Sequence, residues 1–535
     1  MGHGGMDVDV LISGAGPVGL SCALLLRNLG MTVAVIEARA GTHRAPQAHV
    51  VSSRTLEILT GAGISEERLR ALSTPITEIP AIRWLDSLTG TQHGCFELLG
   101  AGQAEKILAA TPTPIANISQ DRLEPLLLEQ ARDAGARVDF GHRWRRSEMG
   151  ADQRLISHVD VGGDEVRIRS RFLFACDGAS SDIRHACGIE MVGPELVQSF
   201  VGIHFHADLR ELLAERPALL FEFLGGAAAG FFICHRVDSD WVFMHPYDPE
   251  TKDRDWFTDA RAHQLVLGAI GADVPVEIAS VAPWRMSSQV AARYREGPIF
   301  LLGDAAHRFP PTGGIGMNTG VGDAHNLCWK VAMVLGGQAD LGLLDTYEIE
   351  RRPVAVANAE QSLSNYRKMD LIEQALAGGG DVQAEIDAQP EHFDMLGLDL
   401  GYRYRSPAIL DGDAADLPVD NVVRDVPRGL VAGYRLPHVW LTDGGGMVST
   451  LGLVRPDEFV LLTGTRSDLW ADAGVAKTDR AAGALLGDIG GLGPEAAVLV
   501  RPDGHIAWVC EQAPSDPAAA VAAAVAAAVD RLSHP

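Results

Sequence analysis

Basic charge is scarce in this chain. Its 535 residues carry 45 Lys and Arg against 70 Asp and Glu, a formal net charge of -25. That balance argues against a nucleic-acid partner, which needs a basic face to displace counterions. Cysteine is also sparse. Cys22, Cys95, Cys176, Cys187, Cys234, Cys328 and Cys510 are odd in number, scattered, and contain no CxxC pair. Reduced core thiols fit that pattern better than a disulfide framework or a zinc site. No HExxH, no GxSxG and no grouped His/Cys/carboxylate set occurs, so neither a metal nor a hydrolase triad is expected. Long apolar runs are missing too. Residues 10–26 carry no charge, but Gly14, Gly16, Pro17 and Gly19 interrupt them, and a bilayer span needs about 20 apolar residues. The Ala/Val run at 517–529 is shorter still and reads as a packed terminal helix. With no secretory leader pattern and no internal repeat, a cytoplasmic protein is expected.

The length is enough for two or three domains. Residues 8–13 and 32–36 are short, β-branched apolar runs that suit parallel strands buried on both faces, with a crossover helix at 18–29 between them. Residues 121–134 read as an amphipathic helix, and 172–176 as a further strand before the turn Asp177-Gly178. From 192 to 287 apolar and polar residues alternate, as in an antiparallel sheet wet on one face. A strand at 299–302 and a helix at 321–335 follow. The Gly/Asp/Pro-rich stretch at 381–420 is the linker candidate, after which 459–462, 497–500 and 506–509 are strand-like, with a hairpin turn at 501–504.

Gly14-x-Gly16-x-x-Gly19 follows a strand and opens a helix, with Pro17 inside it, and acidic Glu37 ends the next strand. Such glycines let a pyrophosphate approach the helix N-terminus while the carboxylate binds ribose hydroxyls. An acidic Glu37 favours FAD or NAD, since a 2′-phosphate would be repelled. A second segment points to a flavin. Asp304, at a strand's end, is placed to bind ribityl hydroxyls. The loop Pro310-Pro311-Thr312-Gly313-Gly314-Ile315-Gly316-Met317-Asn318 then leads into a helix whose free amides would stabilise negative charge on a reduced flavin ring.

Three segments resemble the fingerprints of the single-component FAD-dependent aromatic hydroxylases, the 4-hydroxybenzoate hydroxylase superfamily, and within it the phenol and chlorophenol monooxygenase branch. They are Gly14 to Gly19 with Glu37; Cys176-Asp177-Gly178-Ala179-x-Ser181-x-x-Arg184; and Gly303-Asp304 through Lys330. The resemblance covers about residues 7–370, and the C-terminal part resembles the redox-inactive thioredoxin-like domain of the phenol hydroxylases, in an interface role. It implies an α/β fold (α+β overall): a Rossmann-like, GR2-type FAD-binding domain at 1–191 and 288–380, an antiparallel-sheet substrate domain at 192–287, the linker at 381–420 and a thioredoxin-like domain at 421–535. It also implies that Asp177 and Gly178 serve both FAD and NADPH or NADH, and that Gln120 contacts the flavin. Gln47 stands where many relatives have arginine, with Arg44 as its candidate substitute, which makes a carboxylate substrate less expected.

The implied activity is hydroxylation of a phenolic or aromatic substrate with NAD(P)H and O2 through a C4a-hydroperoxyflavin. The alternative is a Baeyer–Villiger, epoxidising or antibiotic-modifying monooxygenase acting on a polyketide-type substrate. His49 is the candidate phenol base or a lining residue. Trp284 lies where yeast-type relatives place a substrate-adjacent tyrosine, and Pro311 is placed at the catalytic centre with them. His206, Phe223, Phe232, His235 and His245 are pocket candidates on the alternating sheet. The expected partners are a small aromatic molecule and O2, and assembly as a homodimer stays open.

Overall fold

The computed structural model describes residues 6–100, 102–226, 228–410, 414–443, 446–478 and 491–530. The chain opens with β1 (Met6–Ser13), α1 (Pro17–Asn28) and β2 (Val33–Glu37). Val10, Leu11, Ile12, Ala34 and Val35 are wholly buried, as strands covered on both faces require. The chain then leaves for the hairpin β3 (Ala81–Leu85) and β4 (Gln92–Glu97). It returns through α2 (Gln120–Asp133), β5 (Arg137–Phe140) and β6 (Asp164–Ala175). A second excursion makes β7 (Gln198–His206), β8 (Leu220–Phe223), β9 (Gly230–Arg236), β10 (Asp240–Tyr247) and β11 (Glu277–Met286). β12 (Ile299–Leu301), α3 (Gly316–Leu335) and α4 (Thr346–Ala377) complete this part.

The first sheet has a parallel core in the order β12-β6-β1-β2-β5, the Rossmann-like half of an α/β (α+β overall) fold. Helix α3 starts at Gly316, five residues before the expected 321, because its glycines serve close packing rather than breaking the helix. A Cβ on Gly320 would stand 2.5 Å from Val18 Cγ2 and 2.9 Å from Gly303 Cα.

The second sheet has the order β11-β7-β10-β9-β8-β3-β4 and extends beyond the expected 192–287. β8 pairs in parallel with β3, setting Leu220 opposite Ile82 and Glu222 opposite Trp84. Pairing between segments so distant in sequence runs through backbone hydrogen bonds, which local periodicity does not reveal.

The expected linker at 381–420 carries helices in its first half. Val382–Asp387 is a helix whose Ile386 reaches Gly94 on β4, and Leu396–Leu400 is another. Val382 and Ile386 stand at i,i+4 spacing, the helical signal that the surrounding Gly, Asp and Pro obscured. Beyond it, β13 (Val460–Thr463), β14 (Ala476–Thr478), β15 (Ala497–Val500) and β16 (Ile506–Cys510) form a sheet of order β14-β13-β15-β16, followed by α5 (Pro517–Asp530). This thioredoxin-like unit is tied to the flavin half by a buried ionic cluster. The Arg501 guanidinium donates to both Glu350 oxygens, at 2.7 and 2.9 Å, and Lys330 Nζ donates to Oε2 at 2.7 Å. The turn at 501–504 is thus also the anchor of the C-terminal unit on α3 and α4.

Candidate active site

A single cavity of about 1710 Å³ runs from the β1–α1 turn to the inner face of the second sheet. Its first end is built by three glycines with different duties. Gly14 has φ +111°, and a Cβ there would lie 2.1 Å from the Cys176 carbonyl oxygen. On Gly19 a Cβ would lie 2.0 Å from the Gly14 oxygen, so both positions need glycine for backbone packing. Gly16 meets nothing closer than Glu124 Oε1 at 4.0 Å, so its open side faces the cavity. No side chain caps α1, Pro17 is its first residue, and its amides are free for an anion.

Glu37 closes this end. Its Oε2 accepts from the Ala15 amide at 2.9 Å, and Oε1 accepts from Arg39 N and Nε at 2.8 and 3.0 Å. Burial would raise its pKa, but the Arg39 side chain and these amides outweigh burial and hold it below the ordinary carboxylate value. Beneath Gly16, Glu124 accepts from the His43 amide at 2.8 Å and from Gln120 Nε2 at 2.7 Å. Gln120 lines the cavity, and its backbone amide donates to Ala48 O at 2.8 Å, which holds the loop beside His49. Arg44 is exposed and is not in the cavity wall, whereas Gln47, for which it is the candidate substitute, lines it. A loop side chain's direction is set by its neighbours' anchors, here Glu37 and Glu124, and not by its place in the sequence.

The middle of the cavity carries two carboxyls with free valence. Asp177 Oδ2 accepts from the Ile183 amide at 3.2 Å, while Oδ1 is buried with no partner. Asp304 lines the cavity and makes no hydrogen bond to the described residues. Burial raises both carboxyls; for Asp304 the nearby His307 and Arg308 offset part of this. Gly178, Gly314, Gly316 and Met317 complete the wall, and α3 opens toward it without a side-chain cap. The Asn318 side chain is spent on protein. Its Oδ1 accepts from Ser52 N at 2.9 Å, and Nδ2 donates to Val50 O at 2.9 Å and Gly314 O at 2.7 Å. It clamps two walls together, and only its backbone remains for a ligand. Free amides at two helix starts, the open side of Gly16, the orphaned Asp177 oxygen and the unpartnered Asp304 match the phosphates and hydroxyls of FAD.

The far end is the sheet. Gln47, His49, Trp284 and Pro311 all line it. His49 Nδ1 lies 2.8 Å from Asn117 Oδ1, and Trp284 stacks on Phe200 with centroids 5.5 Å apart. The alternation expected for this sheet is present, but the cavity takes the other parity. Leu220, Glu222, Phe231, Ile233, Val242 and Met244 face it, whereas Phe232 and His245 belong to the opposite face. A one-residue choice of parity exchanges the faces of a strand. Phe223 lines the wall from its edge; His235 is buried behind His49, their rings edge-on at 5.4 Å. His206 is exposed at the rim. There His204, His206 and Asp240 come within 4.8 Å of one another, a grouping the sequence did not suggest because Asp240 is on a neighbouring strand. His204 Nε2–H donates to Asp240 at 2.6 Å. Glu222 and the 392–399 segment are cavity features that motif reading missed, as is Glu124, buried behind the wall beneath Gly16, since none belongs to a motif.

Comparison with known proteins agrees with this geometry. Residues 7–362 match the family model described as FAD binding domain, and residues 430–531 match aromatic-ring hydroxylase, C-terminal. The chain is 37% identical to a 4-methyl-5-nitrocatechol 5-monooxygenase of Burkholderia sp, with 98% of each chain covered. It is 33% identical to the tetracenomycin A2 monooxygenase-dioxygenase of Streptomyces glaucescens, again with 98% of each covered. Among solved structures, the flavin-dependent monooxygenase PieE in complex with FAD and substrate superposes with a TM-score of 0.90 at 30% identity, over 98% of this chain and 99% of that one. The chain belongs to the FAD-dependent aromatic-ring hydroxylases, monooxygenases that use NAD(P)H and O2.

Proposed function

We propose that the substrate is a polycyclic phenol and that His49 accepts its phenolic proton. Bound FAD supplies the activation of O2 at the expense of NAD(P)H. The chain's residues supply the rest. Glu37, the α1 amides and Asp304 hold the cofactor, and Asp177 serves cofactor and nicotinamide donor together. The α3 N-terminus favours negative charge beside the ring.

The observation that carries the reading is the state of His49. With Nδ1–H donating to Asn117 Oδ1, Nε2 keeps its lone pair and is the atom that accepts a proton. Burial holds the ring below the ordinary histidine value, so it is neutral at neutral pH. His235, pushed down to about 3 mainly by burial, adds no positive charge beside it. The wall from β11 to β3 spans six strands, roughly 24 Å at the usual strand spacing. One aromatic ring covers little more than one spacing, so several fused rings are needed to fill it. Its apolar side chains, Phe200, Phe231, Met244 and Trp284 among them, exclude water from the reacting centre. The unpaired cysteines support a cytoplasmic setting.

The test begins with a screen of polycyclic phenols for stimulated NAD(P)H oxidation. With a substrate in hand, His49→Ala should retain FAD yet lose roughly 10²-fold in hydroxylation, the scale of a missing proton acceptor. NAD(P)H oxidation should continue, releasing hydrogen peroxide. Wild-type coupling in the variant at neutral pH would remove His49 from this role.

A further inference from the structure

On a sheet face that is otherwise apolar around it, Glu222 is an acid without a partner. Phe221 and Phe223 point into the packed core, which turns Glu222 and Leu220 to the cavity. Its register neighbours are Phe231 on β9 and Trp84 on β3. Among the described residues nothing donates a hydrogen bond to it or forms an ion pair with it. The three arginines that line the cavity are elsewhere: Arg39 is on Glu37, Arg70 on Glu66 and the Pro114 carbonyl, and Arg143 lies 4.0 Å from Asp182. Among the described residues no lysine is in the wall.

We propose that Glu222 is the specificity anchor of the substrate cavity, its carboxylic acid donating a hydrogen bond to an uncharged carbonyl or hydroxyl oxygen at the end of the substrate remote from the flavin. The inference rests on the reading of this cavity as the substrate site. The remoteness follows from α4. Ser362 holds the flavin-side loop through Thr312 Oγ1 at 2.7 Å, and Glu373, which faces Glu222, is eleven residues further on, roughly 16 Å along the helix.

The surroundings keep the proton on. Tyr366, Asp370 and Glu373 line this part of the cavity from α4, and His392 and Asp394 from the segment after it. Asp394 is engaged by Lys106 and Arg424, at 2.8 and 3.2 Å. Burial pushes Glu222 up to about 8, and the Glu373 carboxylate adds to this. Glu373 is itself raised by burial and by Asp370, and burial raises Tyr366. His392, pushed down to about 4 by burial and Lys368, carries no charge at neutral pH. A carboxyl kept neutral in an apolar site is a hydrogen-bond donor. A substrate carboxylate here would lie beside the acidic Asp370 and Glu373 with no lysine among the described residues of the cavity wall, so these neighbours reject an anion while the neutral Glu222 donates to a carbonyl or hydroxyl oxygen.

The experiment uses the FAD-loaded enzyme and three probes that differ at one position: 2-(hydroxymethyl)anthraquinone, anthraquinone-2-carboxylate and 2-(aminomethyl)anthraquinone. Their Kd values are read from perturbation of the flavin spectrum. At neutral pH the hydroxymethyl probe should bind at least about tenfold more tightly than the carboxylate, and its affinity should fall as the pH rises through about 8. Glu222→Gln, which keeps a donor and cannot ionise, should bind it as the wild type does and lose the pH dependence. Glu222→Ala should weaken it about tenfold at neutral pH, the loss of one net hydrogen bond. Equal binding of neutral and anionic probes, or affinities in Glu222→Ala equal to wild type, would overturn the proposal. So would preferential binding of the aminomethyl probe, which would make the site a cation site. Flavin content and bleaching by NAD(P)H, measured on the same samples, report separately on the flavin reading.

Discussion

The three glycines of the first turn give opposite expectations for one and the same substitution. In Gly14→Ala the new Cβ lies 2.1 Å from the Cys176 carbonyl oxygen, at a φ of +111°. Forcing a methyl into such a contact costs about 1–3 kcal/mol or more, and the left-handed backbone adds about 1–2 kcal/mol. Gly19→Ala brings the same overlap, 2.0 Å from the Gly14 oxygen. Gly16→Ala meets only Glu124 Oε1 at 4.0 Å, and its φ of -78° suits alanine. There the apoprotein should be unchanged or gain about 0.4–1 kcal/mol through a less flexible unfolded chain. The methyl instead occupies the approach of the pyrophosphate, and FAD affinity should fall at least a hundredfold, which corresponds to about 2.7 kcal/mol. Urea unfolding of flavin-stripped protein separates the two effects from flavin titration. Gly16→Ala that binds FAD as tightly as wild type would show that the pyrophosphate does not lie on this turn. An apoprotein of Gly16→Ala as damaged as Gly14→Ala would refute the steric assignment.

Asn318→Ala should leave the Ser52 amide and the Val50 and Gly314 carbonyls without their partner, at about 1–3 kcal/mol for each group that stays buried. Denaturant unfolding and flavin titration should both register it, since the clamp joins the walls of one site. Glu350→Gln should cost about 3–5 kcal/mol, because the charges of Lys330 and Arg501 then lose their shared carboxylate. Against burial, Arg501 and Lys330 hold the Glu350 carboxyl well below its ordinary value of 4.5. Its contribution is therefore present above pH 4.5 and lost as the pH falls toward the folded-state value, so acidification below 4.5 should destabilise the wild type more than the variant. The His49 ring must be neutral to accept a proton and titrates below 6.5, so the acid limb of hydroxylation should lie below that pH and be absent in His49→Ala.

What could be read in the sequence is what local physics dictates. Gly14, Gly19 and Glu37 sit at fixed offsets in a strand-turn-helix unit, and those offsets alone position them for a nucleotide. Asp304 and the loop to Asn318 were legible for the same reason. Asp177 needed the family resemblance, and its orphaned Oδ1 supplies the physical ground for it. The direction of Arg44 is not legible, because a surface loop has no period to orient a side chain and one anchor of its loop, Glu124, is distant in sequence. On the second sheet, alternation told which residues share a face but not which face meets the ligand. Phe232 and His245 were therefore named where Glu222 and Phe231 stand. The contribution of β3 and β4, and of the 392–399 segment, depends on contacts that only the folded chain makes.

The most direct test is oxygen transfer by the purified enzyme with FAD, NAD(P)H and a polycyclic phenol under an atmosphere of ¹⁸O₂. The account predicts a product that carries one added oxygen, labelled from the gas, with one NAD(P)H consumed per product. An unlabelled oxygen taken from water, or turnover that continues in the absence of O2, would contradict it.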